Sequence, residues 1–327
     1  MELEVDRIFT DEVLDDAAHR FNVKMIKKVG SFENYVYEVM HKGKPMILRI
    51  THSSHRKKQE IEAEVEWVND LYVKGIPASL CKRSAAGHFV EEIPAEKSAF
   101  YVCLFHKAPG KRAQIKSGDT TLFKRWGSIT GQMHNAVITY NPKNRRKRWD
   151  EDELLDFQLY LDLQKDREII EAGQRLKQQI GSLPENKETF GLIHADLHQG
   201  NFFLEGDIIH PFDFDDSCYF YFAHDLAVPV YYSMWSNGNL RNEEMEELFI
   251  SFLEGYSSKH SLTQDILRTV PLFLKLRDYT LYSVLHKKWE IPALKRDEKQ
   301  LLQGIRERLV KQRPIADLSY DRIWSSC

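Results

Sequence analysis

Two different spacings of apolar residues divide the first third of the chain. In residues 11–21 apolar side chains recur every three or four positions, whereas residues 24–29 and 35–40 alternate apolar and polar side chains. The first spacing predicts an amphipathic helix, and the second predicts two strands joined by a turn. By the same reasoning, further strands are predicted at residues 45–51, 87–91 and 99–105, and a further helix at residues 57–74.

After residue 112 the pattern becomes mainly helical. Helical segments are predicted at residues 121–136, 151–163, 167–180, 228–256, 269–289 and 297–312. A strand-rich beginning followed by a longer helical part is typical of an α+β fold. A chain of 327 residues suits two lobes, and we place their boundary shortly before this change of pattern, with an N-terminal lobe of residues 1–107 and a larger helical C-terminal lobe of residues 108–327.

The residues with the clearest chemistry lie between Gly191 and Asp216. A short apolar strand leads into the loop HADLHQGN, and two apolar runs around a turn then lead to Asp213. Asp196 can accept a proton from an attacking hydroxyl, while Asn201 and Asp213 offer the hard oxygen ligands that Mg²⁺ prefers. In isolation, Asp196 and Asn201 would also suit an ordinary polar loop.

The pattern H-x-D-x-x-x-x-N, followed by the sequence DFDD from Asp213 to Asp216, resembles the aminoglycoside phosphotransferase and choline kinase branch of the protein-kinase-like fold. The glycine of the protein-kinase D-F-G motif is replaced by Asp215. This resemblance implies two lobes, ATP (or GTP) and Mg²⁺ as cofactors, and transfer of the γ-phosphoryl group to a small-molecule hydroxyl. In that scheme Asp196 is the catalytic base, and Asn201 and Asp213 are the metal ligands.

The resemblance also assigns nucleotide-binding roles in the N-terminal lobe. The first hairpin would cover the phosphates, Arg49 stands where protein kinases have a phosphate-binding lysine, and Glu64 would pair with it. A solvent-facing arginine on an edge strand is the alternative for Arg49, and Glu60 and Glu62 are rivals of Glu64. The hinge between the lobes would bind adenine through its backbone. The nucleotide-binding candidates are Gly30, Ser31, Asn34, Arg49, Glu64, Leu104 and His106.

Downstream, the sequence Asp225-Leu-Ala resembles the family element whose aspartate supports the catalytic loop. Possible substrate-binding or supporting residues are His194, His198, Asp215, Asp216, Asp225 and Arg277, with Tyr231, Tyr232, Trp235 and Tyr282 as further pocket candidates for which packing is the simpler role. A cationic acceptor would favour Asp215 and Asp216, and an anionic one would favour Arg277 or residues 145–148. The sequence does not rank aminoglycoside, choline, homoserine or sugar-like acceptors.

Composition narrows the remaining possibilities. The 327 residues carry a formal net charge of -3, which argues against a dedicated nucleic-acid-binding protein. The beginning of the chain lacks the apolar core of a signal peptide, and no run of about 18 apolar residues occurs, so we expect a cytoplasmic protein without a membrane segment. We also expect a monomer or a homodimer. The widely spaced Cys81, Cys103, Cys218 and Cys327 suggest neither zinc nor disulfides.

Two segments and two functional alternatives complete the predictions. His134 is expected to be a packed helix residue with a satisfied ring, and the basic residues 141–148 are expected on a solvated loop. Arg49 in place of lysine also allows a weakly active, pseudokinase-like binding module. A protein Ser/Thr kinase of the same fold is the other alternative.

Overall fold

The structure is a computed structural model that describes residues 3–236 and 240–326, and it comprises two compact units. Unit 1 contains the described residues up to Lys111 together with Tyr140–Arg146 and His210–Asp215. Unit 2 contains Arg112–Thr139, Lys147–Ile209 and the described residues from Asp216 onwards. The sequence-based division after residue 107 lies close to Lys111, but a linear division could not include the two later segments that return to unit 1.

Unit 1 is built on an antiparallel sheet. Its strands are β1 (Lys24–Gly30), β2 (Tyr35–His41), β3 (Lys44–His52), β4 (Cys81–Lys82), β5 (Glu91–Ala95) and β6 (Ser98–His106). They follow the order β1-β2-β3-β6-β4, with β5 also paired to β6. The helices of this unit are α1 (Leu3–Ile8), α2 (Asp11–Phe21) and α3 (Lys58–Val73).

The alternation of side chains along β3 separates two environments. Leu48 and Ile50 are buried in the apolar core beneath the sheet, which Phe21 of α2 joins. Arg49 lies between them in sequence and therefore faces the opposite side, where its guanidinium lies 5.1 Å from the ring centroid of Phe105. Because β3 pairs with both β2 and β6, it is an interior strand, and the edge-strand alternative for Arg49 is wrong.

Unit 2 is mostly helical, and together with the sheet of unit 1 it confirms the predicted α+β class. Its helices are α4 (Thr120–Val137), α5 (Arg167–Gly181), α6 (Phe222–Ser236), α7 (Asn242–Ser257), α8 (Gln264–Lys288), α9 (Arg296–Lys311) and α10 (Tyr320–Ser326). Strands β8 (Phe190–Ile193) and β11 (Cys218–Tyr221) pair antiparallel. The remaining short strands are β7 (Lys111–Arg112), β9 (Phe202–Glu205) and β10 (Ile208–Pro211), of which β7 and β10 each include residues of both units.

Two glycines bring α4 and α7 into backbone contact. A Cβ atom at Gly127 would lie 1.8 Å from the carbonyl oxygen of Phe252, and one at Gly255 would lie 1.8 Å from the carbonyl oxygen of Lys124. No residue with a Cβ atom fits at either position without displacing the neighbouring backbone. The pair therefore fixes the packing of the two helices.

Several predicted elements have different bounds in the structure. The strand predicted at residues 87–91 lies instead at Glu91–Ala95, because Gly87 has a positive φ and forms a turn. The segment 151–163 is not an α-helix. It contains two short 3₁₀ turns, Trp149–Glu151 and Glu153–Leu155, followed by bends and turns, since a run of Asp and Glu side chains caps backbone N–H groups locally.

The helical segment predicted from residue 228 begins earlier and is divided. Helix α6 starts at Phe222 and ends at Ser236, and α7 starts at Asn242. Residues 237–239 of the predicted segment lie outside the described residues. Strand β11 was not predicted, because its aromatic residues continue directly into the apolar start of α6 and show no change of period.

The basic run at residues 141–148 is not uniformly solvated, contrary to the prediction. Arg146 is only 1% exposed and donates hydrogen bonds to the backbone carbonyls of Glu60 and Asp215. Arg148 forms a two-nitrogen ion pair with Glu185. A charge count along the sequence cannot distinguish a buried arginine that donates hydrogen bonds to backbone carbonyls from its exposed neighbours.

Two composition-based expectations concern cysteines and membranes. Cys81, Cys103 and Cys218 are buried and form no disulfide within the described residues, and Cys327 lies outside those residues. Among the helices that the structure describes, none is long and apolar enough to cross a membrane.

Candidate active site

The loop after β8 is held in an unusual backbone conformation. Ala195 has a φ of 67°, which residues with a Cβ atom rarely adopt. Its N–H donates to a carboxylate oxygen of Asp225 at 2.8 Å, and its carbonyl lies 3.1 Å from Nε2 of His224. The N–H of His194 donates to the other carboxylate oxygen of Asp225 at 3.1 Å. All three contacts are made by residues at the start of α6, so this helix fixes the direction in which Asp196 leaves the strand.

Asp225 is itself buried and paired. Nε2 of His134 lies 3.2 Å from its carboxylate, and the other ring nitrogen of His134 lies 2.9 Å from the hydroxyl of Tyr256. Burial opposes ionisation, but the hydrogen bond from His134 lowers the pKa of Asp225. The packed, satisfied ring predicted for His134 is confirmed. Asp225 makes the loop contacts that the family resemblance implied.

Asp196 and Asn201 contact each other directly. The side-chain amide of Asn201 donates to the backbone carbonyl of Asp196 at 2.9 Å and to its carboxylate at 3.1 Å. Nε2 of His198 lies 3.4 Å from the same carboxylate oxygen, Oδ2. The backbone N–H of Asn201 donates to the carbonyl of His198 at 2.8 Å, which closes the turn. The loop thereby positions the predicted base and one predicted metal ligand together.

Arg277 is the strongest electrostatic partner of Asp196. Its Nη2 donates to Oδ1 of Asp196 and, at 2.5 Å, to the hydroxyl of Tyr232. Although burial opposes it, the charge of Arg277 and then the hydrogen bond from His198 lower the pKa of Asp196, so the carboxylate is ionised at neutral pH. The sequence named Arg277 as a candidate without this partner, because 81 positions separate the two residues.

The aromatic candidates in unit 2 fall into two groups. Tyr231 and Tyr282 are buried, and their hydroxyls donate to Asp278 at 2.7 Å and to Asp166 at 3.3 Å. Tyr232 instead lies with its ring 4.3 Å from that of His198 and 5.5 Å from that of Trp235. Packing accounts for the first group, while Tyr232 and Trp235 belong to the surroundings of Asp196.

In unit 1, Arg49 and Glu64 form a two-nitrogen ion pair at 2.8 and 2.6 Å. Their exposures of 5% and 1% exclude the alternative of a solvated acidic face for Glu64. Glu60 instead accepts the backbone N–H of Lys57 at the start of α3. The predicted pairing of Arg49 with Glu64 is therefore present, and its role toward a nucleotide stays a prediction.

The chain after β10 places two carboxylates near Arg49. Asp213 has a φ of 63° and a side chain that is 53% exposed, while Asp215 is buried. Nη1 of Arg49 lies 4.0 Å from a carboxylate oxygen of each. An aspartate tolerates a left-handed conformation better than most residues, and here that conformation accompanies an exposed carboxylate.

Asp215 has basic side chains around it that the sequence did not reveal. Nε2 of His55 lies 2.7 Å from its carboxylate, Nη2 of Arg56 lies at 3.4 Å, and Arg146 donates to its backbone carbonyl. Burial would raise the pKa of Asp215, but Arg56 and then His55 hold it well below its usual range. His55 also lies 3.8 Å from Glu33, so the contacts of Asp215 lie within unit 1. Asp216 is half-buried and belongs to unit 2.

The first hairpin places its three candidates differently. Asn34 is buried, and its side-chain oxygen accepts a hydrogen bond of 2.6 Å from Thr51 of β3, which anchors the loop. Ser31 is half-buried. Gly30 ends β1, and a Cβ atom there would meet nothing within 4 Å. Gly30 therefore leaves open space beside the loop, whereas Asn34 holds the base of the loop.

The two hinge candidates end β6. Leu104 is fully buried and paired with Leu48 and Lys82 on its two sides. The N–H of His106 donates to the carbonyl of Leu80 at 2.9 Å, and the side chain is exposed. An adenine contact through the N–H of His106 would compete with that bond, and the role of the hinge toward adenine stays a prediction.

The donor set suits a hard divalent cation. The amide nitrogen of Asn201 faces Asp196, which leaves its side-chain oxygen, and Asp213 presents an exposed carboxylate. Both offer oxygen, the donor that Mg²⁺ prefers. The two residues belong to different units, and each fits the predicted role in its own surroundings.

Comparisons with known proteins agree with this chemistry. The family model described as "Phosphotransferase enzyme family" matches residues 26–258. The amicoumacin kinase of Bacillus subtilis (strain 168) is 31% identical over 98% of both chains. A solved amicoumacin kinase, in complex with AMP-PNP, Ca²⁺ and Ami, superimposes with a TM-score of 0.93 at 31% identity and covers 99% of this chain and 100% of its own.

More distant solved structures share the fold. A microcompartment-associated aminopropanol kinase has a TM-score of 0.75 at 18% identity, covering 97% of this chain and 98% of its own. The choline kinase LicA of Streptococcus pneumoniae has a TM-score of 0.59 at 14% identity, covering 92% and 99%. These likenesses confirm the predicted protein-kinase-like fold. With the family model matching most of the chain, the protein belongs to the phosphotransferase enzyme family that includes the aminoglycoside phosphotransferases and choline kinases.

Proposed function

We propose that this phosphotransferase is an ATP-dependent kinase that transfers the γ-phosphoryl group to a hydroxyl of a small molecule, with Asp196 as the base. The observation that carries the proposal is the placement of Asp196, whose carboxylate accepts a hydrogen bond from Asn201 in a loop whose backbone is fixed by Asp225. A proton acceptor in this reaction has to be charged and positioned before the acceptor arrives. Asp196 meets both requirements.

Asp196 orients the acceptor hydroxyl and takes its proton as the oxygen bonds to the γ-phosphorus, and the bond from that phosphorus to the β-phosphate oxygen breaks, which releases ADP. Asn201 and Asp213 are the proposed ligands of a divalent cation, Mg²⁺ by the chemistry of their oxygens. When bound, the cation neutralises phosphate charge. Arg49, held by Glu64, adds a fixed positive charge for the phosphates, and its planar guanidinium can contact two oxygens at once.

The departure from lysine at position 49 does not favour a binding-only role. Arg49 makes the ion pair with Glu64 that the lysine of protein kinases makes, and it keeps a positive charge at every physiological pH. The loop around Asp196 would serve no purpose in a protein that only binds nucleotide. We therefore favour catalysis over a pseudokinase-like function.

For the acceptor, we propose a compound of the amicoumacin type as the first to test. Support comes from two amicoumacin kinases that match this chain over nearly its whole length at 31% identity. The aminopropanol and choline kinases share the fold at identities below 20%, and this likeness says nothing about the substrate. Choline, aminopropanol, homoserine and spectinomycin are therefore comparison acceptors.

The test is a panel assay with purified protein, ATP and Mg²⁺, in which ADP release and the phosphorylated product are both measured. We expect turnover with amicoumacin that disappears with EDTA and in Asp213→Ala. Turnover of another panel member alone would replace the proposed acceptor but keep the kinase. If no acceptor supports ADP release while Mg²⁺–ATP still raises the melting temperature, the catalytic proposal is wrong and the binding-only alternative is right.

A further inference from the structure

Arg277 contacts Asp196 through only one of its three nitrogens. Nη2 donates both to Oδ1 of Asp196 and to the hydroxyl of Tyr232. Within the described residues, Nη1 and Nε donate no hydrogen bond to any protein group, and neither is among the buried polar atoms that lack a partner. Both nitrogens are therefore open to solvent, on a side chain that is 15% exposed. Three N–H bonds of a fixed, planar group remain available beside the base.

The position of the guanidinium is set from two sides. Arg277 lies on α8 and Tyr232 on α6, and the guanidinium carbon is 5.1 Å from the centre of the Tyr232 ring. That ring in turn packs against His198 and Trp235. An arginine held by an ion pair and an aromatic face loses little further conformational freedom when it binds a ligand. It is thus pre-organised for recognition.

The structure also bears on whether the acceptor is cationic or anionic, which the sequence left open. Recognition of a cationic acceptor would need an accessible carboxylate, but Asp215 is only 5% exposed and has His55, Arg56 and Arg49 around it in unit 1. Asp216 is half-buried, and its charge acts on Arg277 itself. Arg277, in contrast, keeps unused donors next to the catalytic carboxylate. Donors that stay unpaired when a ligand binds cost free energy. A group with unused N–H bonds therefore favours a ligand that carries an oxygen acceptor.

We propose that Arg277 determines acceptor specificity by binding a carbonyl or carboxylate oxygen that lies close to the hydroxyl phosphorylated through Asp196. This inference rests on the proposed kinase function and narrows its substrate class. The acceptor is then a hydroxy-carbonyl compound, and a simple amino alcohol that lacks the oxygen binds poorly. Because Arg277 also holds Asp196, its loss affects kcat as well as KM, whereas removing the oxygen from the acceptor tests recognition alone.

The experiment combines matched acceptors with matched variants. Homoserine carries a carboxylate, and homoserine amide carries a neutral carbonyl in its place. 3-Amino-1-propanol has the same chain with neither the carboxylate nor the carbonyl. Amicoumacin is the fourth acceptor. Each is assayed for kcat/KM with the wild type, Arg277→Lys, Arg277→Met and the control Arg268→Met. Arg268 lies on the same helix, but its side chain is 55% exposed and contacts Asp321. Thermal stabilisation by Mg²⁺–ATP is measured for every variant.

We expect the wild type to prefer the carbonyl-bearing acceptors over 3-amino-1-propanol by a factor on the order of 10² or more, the size typical of a lost polar contact in a built site. Arg277→Met should abolish that preference, Arg277→Lys should keep part of it, and Arg268→Met should keep all of it. Homoserine against its amide distinguishes a carboxylate from a neutral carbonyl.

Two results would overturn the inference. The first is a wild type that uses 3-amino-1-propanol as well as homoserine and its amide, and the second is an Arg277→Met variant that keeps the preference. Stabilisation by Mg²⁺–ATP in Arg277→Met shows that the variant is folded. If the wild type phosphorylates none of the four acceptors or the rest of the panel, the proposed kinase function itself fails, and this inference falls with it.

Discussion

Asp225 accepts a hydrogen bond of 2.8 Å from the backbone N–H of Ala195, a residue held at a φ of 67°. Strained backbone of this kind persists only where surrounding contacts over-determine it. Here the strained residue directly precedes Asp196. The hydrogen bond to Asp225 stabilises the strained conformation and thereby orients the base.

The strain at Ala195 predicts opposite effects of two substitutions. Ala195→Gly should be neutral or slightly stabilising, because glycine adopts a positive φ without steric cost. Ala195→Val should lower the free energy of unfolding by about 1–3 kcal/mol, since a β-branched residue is poorly accommodated there. Urea denaturation of both variants measures the difference. Equal stability of the two would show that the backbone at this position is unstrained.

The buried pair of Arg49 and Glu64 predicts strong coupling. Arg49→Met leaves a carboxylate that is 1% exposed without its partner, which should cost about 3–5 kcal/mol of stability and weaken ATP use. Arg49→Lys should retain most nucleotide affinity. Adding Glu64→Leu to Arg49→Met should restore much of the stability but not the activity. Denaturation of the wild type, Arg49→Met, Glu64→Leu and the double variant forms a double-mutant cycle, and additive effects on stability would refute the coupling. ATP titration of the same proteins measures nucleotide affinity.

The contact between α4 and α7 predicts that two glycines cannot be replaced. Gly127→Ala and Gly255→Ala should each destabilise the protein by about 1–3 kcal/mol or more, because the new methyl group meets a carbonyl oxygen. Gly304 in α9 is the matched control. A Cβ atom there meets nothing within 4 Å, so Gly304→Ala should stabilise the helix by about 0.5–1 kcal/mol. Thermal unfolding of the three variants separates steric from propensity effects, and a stabilised Gly127→Ala would contradict the close contact.

Acid should weaken unit 2 through His224. Burial, and then the charge of Arg277, lower the pKa of His224 to about 4, with Asp225 and Asp196 opposing the shift. The unfolded chain has the ordinary value near 6.5 and therefore binds more protons between these two pH values. Stability is fully present above about pH 6.5 and is lost as the pH falls toward 4.

The contribution of His224 to the free energy of unfolding can be measured as a function of pH. Between pH 7.5 and 5.5 His224 should account for a loss of roughly 1 kcal/mol in the free energy of unfolding. His224→Gln should be less stable at pH 7.5 but should lose less on acidification. His260, whose pKa burial also lowers to about 4, supplies part of the remaining pH dependence. A variant with an unchanged pH slope would remove His224 from this account.

Local signals in the sequence were enough for much of the fold. The apolar spacing at residues 11–21 coincides with α2, and the alternation at residues 45–51 lies within β3. The loop from His194 to Asn201 was identifiable because its chemistry lies within eight consecutive positions. Glu64 was identifiable through the family resemblance, since a helix glutamate opposite the strand cation is part of that pattern.

Partnerships across long stretches of chain left no local signal. Arg146 reaches Asp215 from a basic run that looks solvated, and Arg277 reaches Asp196 from a helix whose composition is ordinary. The backbone angle of Ala195 depends on Asp225 and His224 rather than on its own side chain. Such features follow from tertiary packing, and they decide how the candidate site works.

The central claim is that Asp196 is the base of a phosphoryl transfer, and its replacement by asparagine tests this most directly. Asp207→Asn, on the neighbouring turn with a side chain that is 83% exposed, is the matched control. With Mg²⁺–ATP and the acceptor chosen by the panel, Asp196→Asn should lose on the order of 10²–10⁴ in kcat while its nucleotide-induced thermal stabilisation persists, and Asp207→Asn should match the wild type. A folded Asp196→Asn protein that turns over at the wild-type rate would contradict the account.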